Sequence, residues 1–316
     1  MGDPSGVGPE IICKAAAALS PQQRQQLLVV GGIEFLRATD ESLKTGLAFG
    51  TVTGTGDVLV VDVSAPEADT IVTGQVSPGG GHAAYAYVEC AAQMALDRTI
   101  EVIVTAPLNK AALHAAGHKY DGHTGLLQHL CRASSSFMLL ASPTLSAIHV
   151  STHVSLQDAI DRCRPDRIVD TISVAADHLR LLGVTRPRVA VAGLNPHCGE
   201  GGIFGRQEIE QIEPAVATAR DLGIDVKGPI AADTVFYRAT RGEFDVVVAQ
   251  YHDQGHIPMK LLAFDTTVNV SLGLPIRRTS VDHGTAFDIA GTGQADHGNL
   301  LAALEYARRW VTADSG

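Results

Sequence analysis

The chain has 316 residues, 45% hydrophobic and 18% charged, which is enough for a large core and predicts two lobes rather than one. Its formal net charge of −10 argues against nucleic-acid or anionic-membrane partners, and no apolar run reaches the roughly 18 residues of a membrane span. The five cysteines are dispersed and the first ten residues do not resemble a secretory signal, so we expect a cytoplasmic protein with free thiols.

Six short runs rich in Val, Ile and Leu are typical of buried parallel strands. These runs cover residues 27–32, 58–63, 101–107, 146–152, 188–196 and 245–251. Segments with helical spacing separate them, such as the amphipathic stretch that begins at Pro165. Strands that alternate with helices predict an α/β fold with a mostly parallel sheet. Because no linker rich in Pro or Ser divides the chain, we expect the two lobes to be interwoven.

Three of these predicted strands each lead directly into a histidine. The fourth, fifth and sixth runs are followed by His153, His197 and His252. Ligands of open α/β sheets bind just outside the carboxyl ends of strands, and neutral imidazole is the commonest side-chain metal ligand. The pattern therefore favours a divalent-metal site at these three histidines. Taken singly, each is better explained as a strand-end residue bonded to a nearby carbonyl.

Further candidates are acidic, basic and polar residues that could move protons or bind anions. Asp253 follows a candidate metal ligand directly, where a carboxylate commonly orients an imidazole. The candidates for the proton-transfer base are Asp253, Asp233 and Lys110, in falling order. Asp also favours turns and helix caps. Basic and polar residues beside apolar runs could bind phosphate or carboxylate groups, or could be ordinary surface residues. These residues are His123, Thr124, Lys260, Asn269 and Arg278.

Two glycine-rich segments, at residues 2–10 and 282–293, predict tight turns or close approach of the backbone to a ligand. Neither matches the GxGxxG fingerprint, and the chain contains no Walker motif and no GxSxG elbow. A dinucleotide would therefore be bound in a different way from that of a Rossmann fold.

Six motifs together resemble the 4-hydroxythreonine-4-phosphate dehydrogenase (PdxA-like) family. In chain order they are GDPSGVGPE, TAPLNK, DGHTGLL, GLNPHCGEGGIFG, YHDQGHIPMKLL and TSVDHGTAFDIAG. The first and last are also similar to segments of isocitrate and isopropylmalate dehydrogenases. The resemblance implies their α/β fold, with two interwoven α/β/α lobes and a cleft between them. It places a cofactor-binding lobe at 1–118 plus 283–316 and a metal, substrate and dimerisation lobe at 119–282.

The resemblance also implies roles for individual residues. The family's metal ligands fall on His153, His197 and His252, with Asp233 and Asp253 near the metal. The substrate contacts fall on His123, Thr124, Lys260, Asn269 and Arg278. The NAD contacts fall on the last motif, at His283, Gly284, Thr285, Ala286, Asp288, Ile289 and Gly291. The family's active site lies at a subunit interface, so the resemblance implies a homodimer.

The implied reaction is the NAD-dependent oxidation and decarboxylation of a phosphorylated 3-hydroxy acid, with one divalent ion per subunit. Three histidines suit zinc, with cobalt, nickel or magnesium as alternatives. The stretch around His256 looks like the branch that converts 4-phospho-D-threonate or 4-phospho-D-erythronate to dihydroxyacetone phosphate and carbon dioxide. Gly125 departs from the family, in which many members carry Glu and thus one more polar group near the substrate.

Three other functions are compatible with these residues. The first is the family's other main branch, which oxidises 4-phosphohydroxy-L-threonine in vitamin B6 synthesis with the same chemistry. The second is a non-catalytic protein of the same fold that binds a metal or a sugar phosphate. The third is a metal-dependent hydrolase that uses the three histidines, which would leave the HGTAFDIAG loop without a role.

Overall fold

The computed structural model describes residues 1–314, and these residues form eleven strands. The strands are β1 (Leu28–Gly31), β2 (Phe49–Thr51), β3 (Val58–Asp62), β4 (Ile103–Thr105), β5 (Phe137–Ala141), β6 (Ser146–His149), β7 (Arg188–Ala192), β8 (Asp225–Ile230), β9 (Val246–Ala249), β10 (Val268–Leu272) and β11 (Arg278–Ser280). All six predicted strands are confirmed, as β1, β3, β4, β6, β7 and β9, each shorter than the predicted run. The other five strands were not predicted from the sequence.

Helices connect most of these strands. They are α1 (Gly8–Ala18), α2 (Pro21–Arg24), α3 (Ile33–Leu43), α4 (Pro78–Leu96), α5 (Lys110–Ala115), α6 (His123–Leu130), α7 (Leu156–Arg162), α8 (Pro165–Leu181), α9 (Glu213–Asp221), α10 (Ala232–Thr240), α11 (His252–Ala263) and α12 (Gly298–Asp314). Helix α8 confirms the amphipathic helix predicted from Pro165. No helix within residues 1–314 combines the length and the apolar character that crossing a bilayer requires.

The chain divides into two compact units. Unit 1 contains Met1–Ser135 and Leu274–Ala307, and unit 2 contains Ser136–Gly273 and the end of α12 from Arg308 on. The chain therefore leaves unit 1 and later returns to it, so the units are interwoven. The division falls after residues 135 and 273, not after residues 118 and 282 as predicted, so residues 119–135 and 274–282 belong to unit 1. The lobe functions stay predictions.

Unit 1 contains a small three-stranded parallel sheet and also the parallel pair β4 and β11, which are two strands of the large sheet. In the small sheet β3 lies between β1 and β2, and in the pair β11 runs parallel to β4. Ile11 of α1, Leu36 of α3 and Tyr87 of α4 are among the most deeply buried side chains. Burial of these apolar faces supplies the main stabilisation of unit 1.

Unit 2 is built on a mixed sheet with the strand order β10-β5-β6-β9-β7-β8. Strands β6, β9, β7 and β8 are parallel, whereas β5 runs antiparallel to both of its neighbours. Every residue of β5 and β9 is buried, as expected for strands with both faces covered. The predicted α/β class is confirmed, and the parallel part of this sheet positions the candidate histidines.

Candidate functional site

The three parallel strands that precede the candidate histidines are neighbours in the sheet of unit 2. Strand β9 lies between β6 and β7, and all three end at the same edge. His153 lies four residues after the end of β6, His252 three residues after β9, and His197 five residues after β7. The carboxyl edge of a parallel sheet is the usual ligand-binding edge.

A buried network of polar side chains connects these strand ends. The amide Nε2 of Gln250 donates to the carbonyl of Ala192 at the end of β7, at 2.8 Å. The hydroxyl of Ser151 donates to the carbonyl of Gln250 at 2.9 Å, and Nε2 of Gln254 donates to the carbonyl of Gly193 at 2.8 Å. Satisfied buried networks of this kind rigidify a structure, so the turns that carry the histidines begin from a well-defined edge.

His252, the first residue of α11, has three polar or aromatic neighbours in unit 2. Its ring centroid lies 5.6 Å from that of His153, and its ring stacks on that of His256 at 3.6 Å with an interplanar angle of 11°. Its Nδ1 is 2.7 Å from a carboxylate oxygen of Asp253. A carboxylate on Nδ1 orients the imidazole and leaves Nε2 available to a ligand.

Another histidine, His149, lies beneath this cluster and was not predicted from the sequence. Its ring is buried at the end of β6, where Nδ1 is 3.1 Å from the carbonyl of Met138 and the ring centroid is 4.7 Å from that of His256. Burial, together with His256, lowers the pKa of His149 to about 3, so this imidazole is neutral. A Cβ atom at Gly255 would collide with its Nε2, which explains the glycine in α11. The available signal was its position inside the predicted apolar strand 146–152.

His197 is in a different environment from the other two candidate ligands. It is exposed, and it lies in the turn Pro196–Gly202 with a backbone φ of 51°. Within the described part of the chain, no three His, Cys, Asp or Glu side chains are close enough to hold a metal ion. A single chain therefore does not assemble the predicted three-histidine set, because β7 ends at Ala192 and the turn separates His197 from the strand end.

The remaining candidates of unit 2 lie on three different elements. Asp233, in the first turn of α10, is exposed; its charge contributes, after burial and Glu208, to a raised pKa of Cys198. Nζ of Lys260 on α11 lies 4.8 Å from the ring centroid of Phe264. Oδ1 of Asn269 on β10 is buried and has no hydrogen-bond partner among the described residues. A buried amide oxygen without a partner is costly, so Asn269 suits a site that binds a ligand.

The buried Arg278 and the half-buried His123 interact electrostatically in unit 1. Arg278 on β11 is 3% exposed, and its Nε and Nη2 donate to the hydroxyl of Thr105 at 3.1 and 2.7 Å. Burial lowers the pKa of Arg278 to about 9, so it remains a cation at neutral pH. Burial and the Arg278 charge lower the pKa of His123 well below its usual value, and its Nε2 has no hydrogen-bond partner among the described residues. Thr124 follows His123 in the first turn of α6.

Lys110 and Gly125 flank this part of α6. Lys110 is exposed at the start of α5, and a Cβ at Gly122 would lie 3.7 Å from its Cε. A side chain at position 125 would collide with the carboxylate of Asp121 as it now stands. The glycine that replaces the family's usual Glu therefore gives Asp121 room beside the first turn of α6.

The two glycine-rich segments of the sequence pack against each other in unit 1. The carbonyl of Thr285 accepts a hydrogen bond from the N–H of Val7 at 2.9 Å, and a Cβ at Gly6 would lie 2.8 Å from Thr285. Next to them is a cavity of about 370 Å³. It is lined by Pro4, Pro9, Glu10, Phe35, Ala38, Thr39, Ser42, Leu43, Thr73, Ala290 and Gly291.

Of the predicted cofactor residues, Gly291 lines this cavity and Thr285 is buried beside it, whereas His283, Gly284 and Asp288 are exposed. Ala286 has a positive φ of 41°, and Ile289 packs in the core of unit 1. The cavity residues of α3 were missed. Their spacing was the available signal: positions 35, 39 and 43 lie on one face of a helix.

Comparison with known proteins places the chain among dehydrogenases. It is 44% identical to D-threonate 4-phosphate dehydrogenase from Cupriavidus necator, over 99% of this chain and 96% of that protein. It is 46% identical to 4-hydroxythreonine-4-phosphate dehydrogenase from Beijerinckia indica, over 98% and 93%. The crystal structure of 4-hydroxythreonine-4-phosphate dehydrogenase from Klebsiella pneumoniae matches with a TM-score of 0.87 and 43% identity, over 98% and 97% of the two chains. The protein is thus an enzyme of the dehydrogenase class.

The family follows from a match over nearly the whole chain. The model of the family described as pyridoxal phosphate biosynthetic protein PdxA matches residues 10–307. The chain belongs to this PdxA family, as its six motifs predicted.

Proposed function

We propose that this enzyme oxidises and decarboxylates 4-phospho-D-threonate or 4-phospho-D-erythronate to dihydroxyacetone phosphate and carbon dioxide, with NAD and a divalent metal. The names of relatives such as the Cupriavidus necator protein support the substrate. The observation that carries the proposal is the buried guanidinium of Arg278 beside a neutral His123, because this pair suits a small phosphorylated acid. Five free cysteines support a cytoplasmic location.

In unit 1 we assign the binding of the phosphate group to Arg278, His123 and Thr124. A guanidinium binds phosphate through two parallel hydrogen bonds, and its strength increases where water is excluded. The unpartnered Nε2 of His123 would gain a hydrogen bond from such a ligand. In unit 2, the unpartnered oxygen of Asn269 and the ammonium group of Lys260 suit the binding of polar ligand groups.

We assign the metal to His153 and His252, with the His197 imidazole completing the ligand set across the homodimer. The rings of the first two are 5.6 Å apart within one chain, and imidazoles suit zinc, with cobalt, nickel or magnesium as alternatives. When bound, the ion would polarise the reacting alcohol and later the ketone, while NAD would accept hydride. Asp253 would hold His252 in place, which leaves Asp233 and Lys110 as candidates for the base.

We propose that the cavity of unit 1 beside Gly291 binds the adenosine part of NAD. It lies against the two packed glycine-rich segments, where backbone can approach a ligand closely. Within the described residues, its lining contains the carboxylate of Glu10 and neither Lys nor Arg. The ammonium of Lys14, which is bonded to Glu10, directs its hydrogen bonds to Glu10 and to the carbonyls of Gly293 and Ala295. The extra phosphate of NADP would therefore have to compete for this cation, which favours NAD.

A substrate panel tests the proposed function directly. We expect NADH formation to be fastest with 4-phospho-D-threonate or 4-phospho-D-erythronate, with dihydroxyacetone phosphate as the product, and to be much slower with NADP. Absorbance at the nicotinamide band measures reduction of the cofactor, and a coupled assay for the triose phosphate measures formation of the product. Turnover of 4-phosphohydroxy-L-threonine alone would favour the activity named for the Beijerinckia indica relative. Absence of reduction with every substrate would indicate a non-catalytic binding protein.

The homodimer is supported by apolar side chains that α11 leaves exposed. Ile257, Leu261 and Phe264 are 57%, 80% and 64% exposed, and their spacing of four and three residues puts them on one side of the helix. Exposed large apolar residues that cluster in this way mark interaction surfaces. Because α11 begins at His252, a second copy bound here would also be close to the proposed metal ligands.

We expect Leu261→Glu to shift the protein from dimer to monomer, because a carboxylate would have to be buried without a partner at the contact. Size-exclusion chromatography with light scattering measures the molar mass over a range of protein concentrations. The matched control is Leu222→Glu, at another exposed leucine of unit 2, which should remain dimeric. A monomeric wild-type protein, or a Leu261→Glu variant as dimeric as wild type, would contradict this interface.

A further inference from the structure

The turn that carries His197 has an unusual backbone conformation. From His197 to Gly202 six successive residues have positive φ, between 44° and 103°. His197, Cys198 and Glu200 have side chains, and the left-handed region is unfavourable for such residues. A sequence of this kind would not keep this conformation by local preference alone. Contacts from outside the turn must therefore stabilise it.

The carboxylate of Glu208 bonds to the two residues that lead into this turn. Its Oε1 accepts hydrogen bonds from the backbone N–H groups of Leu194 and Asn195, both at 2.7 Å. Its Oε2 accepts from the side-chain amide of Asn195 at 2.8 Å. Glu208 is 1% exposed, and hydrogen bonds to a buried carboxylate are shorter and stronger than those between neutral groups. The two residues that lead from β7 into the turn are thus bound to one side chain.

The turn also wraps closely around this carboxylate. A Cβ at Gly199 would lie 2.9 Å from Oε2 of Glu208, and one at Gly193 would lie 3.4 Å from Oε1. Gly199 has a φ of 75°. Glycine suits this position because it adopts a positive φ readily and because there is no space for a side chain. The carboxylate therefore lies against the chain on both sides of His197: the segment that precedes the turn, and Gly199 within it.

We propose that Glu208 is a positioning residue for His197: its buried carboxylate holds the left-handed turn in the one conformation that presents this imidazole to the metal. The inference rests on the proposed function, because it gives His197 the role of a metal ligand. Glu208 itself is buried behind the turn and is not assigned contact with metal or substrate. The sequence motif that contains His197 does not predict that Glu208 is buried or which groups its carboxylate bonds to.

Glu208→Gln tests the proposal with the smallest change in shape. The glutamine amide has one oxygen and one NH₂ group in place of two accepting oxygens. At least one of the three hydrogen bonds is therefore lost, and the negative charge is removed. We expect the metal-free protein to bind Zn²⁺ about 10- to 100-fold more weakly, as when other groups that orient metal ligands are removed. Competition with a chromophoric chelator measures this affinity, and excess Zn²⁺ should restore most of kcat. A general loss of structure would not be restored by metal.

The matched control is Glu210→Gln, two residues further along the same segment. Glu210 is exposed and pairs with Arg206, so its amide variant should bind Zn²⁺ within twofold of wild type. Asn195→Ala removes the side-chain contacts to Oε2 of Glu208 and to Gln207 but keeps both backbone hydrogen bonds to Oε1, so it should weaken binding less than Glu208→Gln. The Asn195→Ala variant provides the test if Glu208→Gln does not fold. In that case, unchanged Zn²⁺ affinity in folded Asn195→Ala would overturn the proposal.

Two outcomes separate this inference from the proposed function. If wild-type protein and folded Glu208→Gln bind Zn²⁺ equally well, the positioning role of Glu208 is overturned and the proposed function is not. A wild-type protein that binds no divalent metal would overturn the metal-dependent function and this inference with it. Weaker binding in Glu208→Gln, restored activity at high Zn²⁺ and an unaffected Glu210→Gln together would support it.

Discussion

Replacing His252 by alanine should abolish stoichiometric metal binding and lower kcat/KM by more than about 100-fold, because even residues that only orient a metal ligand contribute about 10- to 100-fold. His252 combines the features of a ligand: its Nδ1 is engaged by Asp253, its ring stacks on His256, and His153 lies nearby. Removal of the imidazole leaves the alcohol without a polarising cation. Metal analysis of the purified protein and steady-state kinetics with NAD measure the two effects.

The control for this variant is another exposed histidine, His129 on α6. His129→Ala removes an imidazole that has no assigned role, and it should retain wild-type metal content and turnover. His153→Ala should behave like His252→Ala, since either change leaves an incomplete ligand set. A folded His252→Ala protein that keeps both its metal and its activity would refute the assignment of this cluster to the metal.

Replacing Arg278 by glutamine should raise KM for the phosphorylated substrate by about 30- to 100-fold with a smaller effect on kcat. A hydrogen bond to a charged group in a buried site contributes about 2–3 kcal/mol, and 1.4 kcal/mol corresponds to a factor of ten. The burial of Arg278 protects this interaction from screening by water and salt. Lysine should restore it only in part, because an ammonium cannot make the bidentate contact.

The best control for this change is the neighbouring residue in the chain. Arg277 precedes β11, and because successive residues of an extended chain point to opposite faces, Arg277→Gln should leave KM unchanged. The non-phosphorylated hydroxy acid offers a second control, since Arg278→Gln should slow its turnover far less. Equal effects on the phosphorylated and the non-phosphorylated acid would show that Arg278 does not bind the phosphate.

The successful prediction of β9 and the failure to predict β8 have a simple physical reason. Strands such as β9, with the sequence VVVA and both faces covered, consist of apolar residues and were predicted from composition alone. Strand β8 lies at the edge of the sheet, is mostly half-buried, and contains Lys227, Gly228 and Pro229. Edge strands need no continuous apolar run, so local hydrophobicity does not distinguish β8 from a loop.

The candidate site was likewise predictable only as far as its signals are local. The motifs identified the family, and the strand-end rule selected His153, His197 and His252, because both the motifs and the rule depend on residues close together in the chain. Which side chains meet across long separations depends on packing. Arg278 bonds to Thr105 across 173 positions, and the ring of His149 lies under that of His256.

His197 illustrates the difference between what sequence patterns predict and what depends on the tertiary structure. The sequence by itself determined the family, the α/β class and the residue types available for a metal and a phosphate. Only the tertiary structure showed that this histidine lies on a left-handed turn, held by Glu208 and apart from the other two. The reason is that sequence patterns record which residues are near in the chain, whereas backbone conformation and side-chain contacts depend on what the rest of the fold packs around them.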